Sequence, residues 1–262
     1  MSIDVPQYNR YWTDQYRPDD SYENEIARGR VRTAYPVVGY GKLIAGAGVT
    51  RTLIQDQDGT VLHVPPTTGQ QMQLVSSSAS DIAGGTGART IVIEYLDHNL
   101  DLAFELIALN GLTPVNTIAT DIRWVQAIHV ATVGSGGVAA GNIDIKNTNT
   151  YARIAAGQRS SHSSFRRVPR GKTLYISTMF AGSSSGSAAT SSLIELVTTQ
   201  IDGLDQQETG FFYSQAGIVL QDASQTLTMK MPLPVGPGHI VGFMATCDKG
   251  ATITAGFTGW VE

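Results

Sequence analysis

From Lys42 to the end of the chain, apolar and polar residues alternate with a period of two, interrupted at short intervals by Gly, Asn, Asp and Ser. That pattern belongs to strands with one buried face, joined by tight turns. It predicts strands over residues 49–55 and 60–64, flanking the turn sequence Asp-Gln-Asp-Gly, and a short strand over 71–76. The Gly-rich stretch 79–87 reads as a loop. The clearest hairpin follows: residues 90–96 place Ile91, Ile93 and Tyr95 on one face, Asp97, His98 and Asn99 turn the chain, and Leu102, Phe104 and Leu106 resume the alternation towards Leu109. Asn110-Gly111 is a strong turn dipeptide. Residues 122–133, β-branched and containing Trp124, form a further hairpin with 142–146 across the glycines of 134–137, and 151–154 closes this first set. A second set is predicted over 172–180, 193–200, 211–220, 225–231, 240–247 and 251–261.

Two segments break the pattern. Residues 1–42 carry much of the mixed charge, the prolines Pro6, Pro18 and Pro36, and the aromatics Tyr8, Tyr11, Trp12, Tyr16, Tyr22, Tyr35 and Tyr40. Proline breaks regular elements, and rings in an irregular segment generally lie on something. The segment reads as an extended arm, resting on its own body or on a neighbouring subunit, with Tyr8, Tyr11, Trp12, Tyr16 and Tyr22 as contacts. Too few of its apolar positions alternate to offset its ordering entropy, so it is expected to order only on assembly. Residues 158–171 are polar and basic and read as a connector. The organisation expected is therefore all-β: an arm (1–42), a first β domain (43–157), a basic connector (158–171) and a second β domain (172–262), as tandem sandwich or jelly-roll-like units. A single intertwined β domain is the alternative.

Composition agrees with strands. Apolar residues make up 42% of the 262, charged residues only 15%, and Gly numbers 28, which suits Gly/Ser-turned strands and excludes a disordered chain. A net charge of −4 argues against general nucleic-acid binding. One basic cluster stands out: Arg159, Arg166, Arg167, Arg170 and Lys172, with Phe165 interleaved. It reads either as a solvated connector or as an electrostatic contact with an acidic capsid surface or with nucleic acid, the acidic total charge favouring the protein partner. The lone Cys247 allows no intramolecular disulfide and no Cys-rich metal site, and its apolar surroundings suit a buried small hydrophobe. No apolar run has the length of a membrane helix and the N-terminus lacks signal-peptide regions, so neither secretion by the usual route nor membrane insertion is expected.

Candidate chemistry is sparse. Residues 182–186, GSSSG, match a nucleophile elbow around Ser184, but such an elbow needs a strand before it and a helix after it, and here a Ser/Gly-rich loop leads to another strand. The glycines of 39–48 and 84–89 lack a full phosphate-loop pattern and suit tight turns. No two of His63, His98, His129, His162 and His239 have metal-pair spacing. Asp97, Asp101 and Glu105 are acids of one hairpin with nothing to suggest a sugar cleft. No catalytic residue, metal or cofactor is expected.

The stretch 74–117, LVSSSASDIAGGTGARTIVIEYLDHNLDLAFELIALNGLTPVNT, resembles virion structural proteins of tailed phages, in which a VSSSAND…GTGAR opening, a TIxGLDxNYxE hairpin and an LNGTTPV turn recur. Their next apolar strand is matched by IRWVQAIHVATVGSGGVAAGNIDI, their IPAGKTGYLTS segment by VPRGKTLYISTMF, and their closing strand by ATITAGFTGWVE. The chain departs from them at Tyr95, where they carry Gly, and at Leu100-Asp101, and residues 1–42 match nothing in them. The resemblance implies a β-rich virion protein without catalysis. The reading it favours is a capsid decoration or cement protein, bound to the major capsid protein or other virion proteins and associating as a homotrimer. A neck or tail component and a carbohydrate-binding adsorption module are the rivals.

Overall fold

The computed structural model describes residues 22–54, 68–185, 190–199 and 212–262. The predicted strand at 60–64 and the arm residues Tyr8, Tyr11, Trp12 and Tyr16 lie outside them.

The fold is all-β, built as two antiparallel sandwiches. One sandwich is made mainly of the C-terminal strands. Its first sheet has the order β1 (Tyr35–Ala45), β16 (Ala251–Val261), β11 (Leu174–Ser184), β14 (Ser224–Val235). Its second has the order β10 (Arg166–Arg167), β15 (Ile240–Cys247), β12 (Ser191–Thr199), β13 (Phe212–Gln221), with β2 (Val49–Ile54) also on β15. β15, IVGFMATC, is buried at seven of its eight positions, as a central strand must be. Ile176, Met179, Leu196, Phe243, Ile253 and Phe257 form the heart of the core between the sheets. Cys247 is buried there, as expected of a small hydrophobe.

The other sandwich packs a sheet of β6 (Val115–Asn116), β3 (Gln73–Ser76), β8 (Ile143–Lys146) and β9 (Thr150–Ile154) against one of β5 (Leu102–Ala108), β4 (Ala88–Leu96) and β7 (Trp124–Val133). Ile91, Ile93, Val125 and Ile128 meet Leu74, Ile143 and Ile145 across it.

The expected boundaries shift at the N-terminal side. Tyr22–Ala27 is a short helix, α1, whose Ile26 packs with Ala34 and Trp260. Residues expected in the arm form β1, which pairs with β16 along its whole length, from Tyr35 opposite Val261 to Ala45 opposite Ala251. β2 likewise joins β15 rather than the first β domain. The period-two signal failed in β1 because glycines occupy buried positions where apolar side chains were sought. A Cβ at Gly39 would overlap the ring of its cross-strand partner Phe257, and one at Gly256 would overlap Phe180. Each glycine makes room for a ring from the adjacent strand. Gly39 is therefore a packing glycine, whereas Gly48, with φ of 71°, is a turn glycine as expected.

The Gly-rich loop 79–87 wraps a buried carboxylate. Asp81, 0% exposed, accepts the amide hydrogens of Ala88 (2.7 Å), Ala140 (2.9 Å) and Gly141 (2.9 Å) and the hydroxyl of Ser76 (2.6 Å). Those donors come from three separate stretches of chain, so one side chain closes this end of the sandwich. Asp81→Ala would leave all four without their acceptor, at about 1–3 kcal/mol for each that stays buried. A loss of about 3 kcal/mol or more in urea denaturation is expected, and a loss below about 1 kcal/mol would contradict this role.

Candidate interaction groove between the sandwiches

The basic connector lies between the sandwiches. Phe165 and Val168 are buried, and Phe165 sits over Gly242 so closely that a Cβ there would collide with its ring. Ser164 donates its hydroxyl to the Ile54 carbonyl on one side. On the other, the Gln126 amide of β7 donates to the Arg167 carbonyl and accepts the Arg167 amide hydrogen at 3.3 Å. A third apolar cluster, Leu96, Trp124, Phe165 and Ile240, joins strands of both sandwiches.

The five basic residues do not make one patch. Arg159 donates to the Gly137 carbonyl at 2.6 Å, Arg167 is buried with its Nε on Gly238, Arg170 pairs with Asp101 at 3.2 Å, and Lys172 reaches the Thr33 carbonyl at 3.2 Å. Arg166 pairs with Glu94 of β4 at 3.4 Å. Arg159 and Arg170 are exposed, Arg166 and Lys172 half-buried and Arg167 buried, and each meets a different partner, so the five do not share one face.

Beside the connector, between β1 and the β5–β4–β7 sheet, is a groove of about 720 Å³. Tyr35, Pro36, Val37, Val38 and Tyr40 form one wall, Leu102 and Phe104 the other, and Glu94, Gln126, His129, Arg166 and the Ser160–Ser163 stretch the floor. The expected faces of the hairpin part company here. Ile91, Ile93 and Tyr95 face the core, but their partners across the strand are Ile107, Glu105 and Ala103. Phe104 and Leu106 therefore point outward, at 62% and 61% exposure, while Leu102 is half-buried against the cluster of Leu96, Trp124, Phe165 and Ile240. The sequence showed the alternation of β5 but not which face it served.

Burial depresses the His129 imidazole below its ordinary value, with the Glu94 carboxylate opposing and the Arg166 guanidinium adding to the effect. His162, edge-on to Tyr40, is shifted the same way by burial and Arg166. Burial and the Glu94 carboxylate push the Tyr35 phenol up to about 12. At neutral pH these groups make a groove with neutral rings around one ion pair.

The remaining candidates are otherwise engaged. Ser184 ends β11, and the next described strand is β12, so the strand–helix context of a nucleophile elbow is missing at this position. Asp97 caps its turn through the amides of Asn99 and Asp101, and Glu105 accepts the amides of Ile118 (2.6 Å) and Ala119 (3.1 Å). His98 meets Asp121, 23 residues away, at 2.8 Å, which brings Asp97, His98 and Asp121 within 4.8 Å of one another. Sequence spacing could not reveal that trio, because Asp121 arrives through the fold. Trp124 and Trp260 are buried and offer no platform to a sugar. Tyr22 lies edge-on against Trp260 at 5.8 Å.

No protein-family profile matches the chain, and no curated protein sequence matches it. Among solved structures, the crystal structure of the infectious bursal disease virus VP2 subviral particle aligns over 87% of this chain and 69% of its own, at 9% identity and a TM-score of 0.16. The structure of the infectious bursal disease virus Gx strain aligns over 87% and 79%, at 9% identity and a TM-score of 0.13.

A depressed histidine makes stability depend on pH. The unfolded chain binds a proton as pH falls through about 6.5, while folded His129 resists it, so stability present above that pH is lost below it. The thermal midpoint is expected to fall between pH 7.5 and 5. The fall should be smaller in His129→Gln, and an identical pH slope in that variant would show that His129 is not its source.

Proposed function

We propose that this chain is a non-enzymatic structural protein of a tailed-phage particle, and that it decorates or cements the capsid as a homotrimer bound to the major capsid protein. The observation that carries an assembling role is the lateral edge of the C-terminal sandwich. Among the described residues, β13 and β14 are the outermost strands of its two sheets, and they lie on the same side of the sandwich. Most of β14 is exposed, as is most of the described part of β13. Val219, Leu227 and Met231 stand in solvent there, Met231 at 83% exposure. Long strands with a free edge and apolar side chains are liabilities that stable monomers cover or shorten. Lys230, Pro232 and Pro234 discourage open-ended strand addition to β14, which favours a closed oligomer over a fibre. The phage assignment rests on the turn and strand motifs from Leu74 onward. The shell position is favoured because many equivalent weak contacts add up on a lattice.

Two measurements test this. Electron-microscopy density or a labelled antibody on purified particles is expected to find the chain spread over the shell. Signal at a single vertex would make it a neck or tail component, and absence from particles would overturn the virion reading. In solution, Val219→Asp and Met231→Asp are expected to weaken self-association at least about tenfold by sedimentation, while stability changes by no more than about 0.5 kcal/mol, as for exposed positions generally. Unchanged self-association would remove this edge as the interface.

A further inference from the structure

We propose that the groove between the sandwiches seats the N-terminal segment of a second copy of this chain, with Tyr11 and Trp12 entering between Val38 and Phe104; this deepens the assembly reading and rests on it.

Four observations converge. Phe104 and Leu106 of β5 stand exposed, uncovered by any of the described residues, and Val38 faces Phe104 across the groove at 55% exposure. Both walls are sheet edges among the described residues: β5 pairs with β4 alone, and β1 with β16 alone. On its open side β1 uses few backbone groups, Tyr40 donating to the Ser163 carbonyl at 2.9 Å and Val38 accepting from Arg166 at 3.5 Å. An extended segment can therefore add main-chain hydrogen bonds while its alternate side chains enter the groove. The floor is polar and under-used: Arg166 reaches its partners only at 3.4 and 3.5 Å, and its Nε has no partner among the described residues. Apolar walls over such a floor match side chains with a large ring and one polar tip, which describes Tyr and Trp. The segment before Tyr22 supplies Tyr8, Tyr11, Trp12 and Tyr16.

The starting point of that segment decides between its own groove and a neighbour's. Tyr22 packs on Trp260, which lies directly opposite the groove residue Pro36. The residues from Trp12 to Tyr22 can span roughly 30 Å when extended. That reach suits a neighbouring subunit. Filling the adjacent groove of the same chain would bury the same rings but fold those residues back as a loop, with a closure entropy that a segment running on to a neighbouring subunit does not meet.

The test uses full-length chains in a Cys247→Ser background, co-expressed in pairs. Val38→Cys with Trp12→Cys is expected to form an inter-chain disulfide under mild oxidation at least tenfold faster than Ala47→Cys, in the turn that follows the far end of β1, with Trp12→Cys. Adding Phe104→Gln to the Val38→Cys chain, which avoids a second carboxylate opposite Glu94, should abolish the cross-link without moving the thermal midpoint, since both side chains are exposed. Equal rates for Val38→Cys and Ala47→Cys would overturn the seat. A chain carrying both cysteines that closes on itself, at concentrations where the pair does not link, would place the segment on its own groove and overturn the exchange. Neither outcome touches the virion reading, which the location of the chain on the particle decides.

Discussion

The two-way amide contact between Gln126 and Arg167 is the interaction on which the rest of this structure depends. It is made in the buried space between the sandwiches, where an unmet amide is costly, and it ties β7 to the connector that begins β10. Phe165 over Gly242 and the Ser164 hydroxyl on Ile54 lock the same segment to the C-terminal sandwich. With both faces of the connector engaged, β1 and β5 are held at the spacing that creates the groove. Without that clasp, Tyr35–Tyr40 and Phe104 would belong to separate surfaces.

Glycine sets the shape of the C-terminal sandwich. Gly39 and Gly256 admit Phe257 and Phe180, and Gly242 admits Phe165. Each is a large-to-small match between adjacent strands or segments, which lets rings fill the space that β-branched residues would otherwise share. Low charge and high glycine content, visible in composition, are thus partly consequences of packing and not only of turns.

Among the described residues, apolar side chains stand exposed at the β13–β14 edge and on β5 for different reasons. At the edge, two sheets end without further strands among the described residues. On β5, a strand turns its polar Glu105 inward, where the carboxylate accepts the Ile118 and Ala119 amides, and so its apolar set faces outward. The second arrangement is the more informative, since the register of β4 with β5 forces it: reversing the faces would bury Phe104 and Leu106 but break that carboxylate contact and the pairing of Ile91 with Ile107.

Sequence alone determined the all-β class, most strand positions from Gln71 onward, and the burial of Cys247, because period-two alternation and turn dipeptides are local signals that each strand carries by itself. It also marked the aromatic segment and Asp97–Glu105 as unusual. Tertiary structure decided which sandwich each strand joins, that 35–54 pair with the C-terminal strands, that the five basic residues disperse, and that β5 faces outward. Those outcomes depend on partners distant in the chain: Phe257 for Gly39, Gln126 for Arg167, Asp121 for His98. A residue's own neighbours hold no record of which distant surface will complete it, so the groove could be seen only once both of its walls were in place.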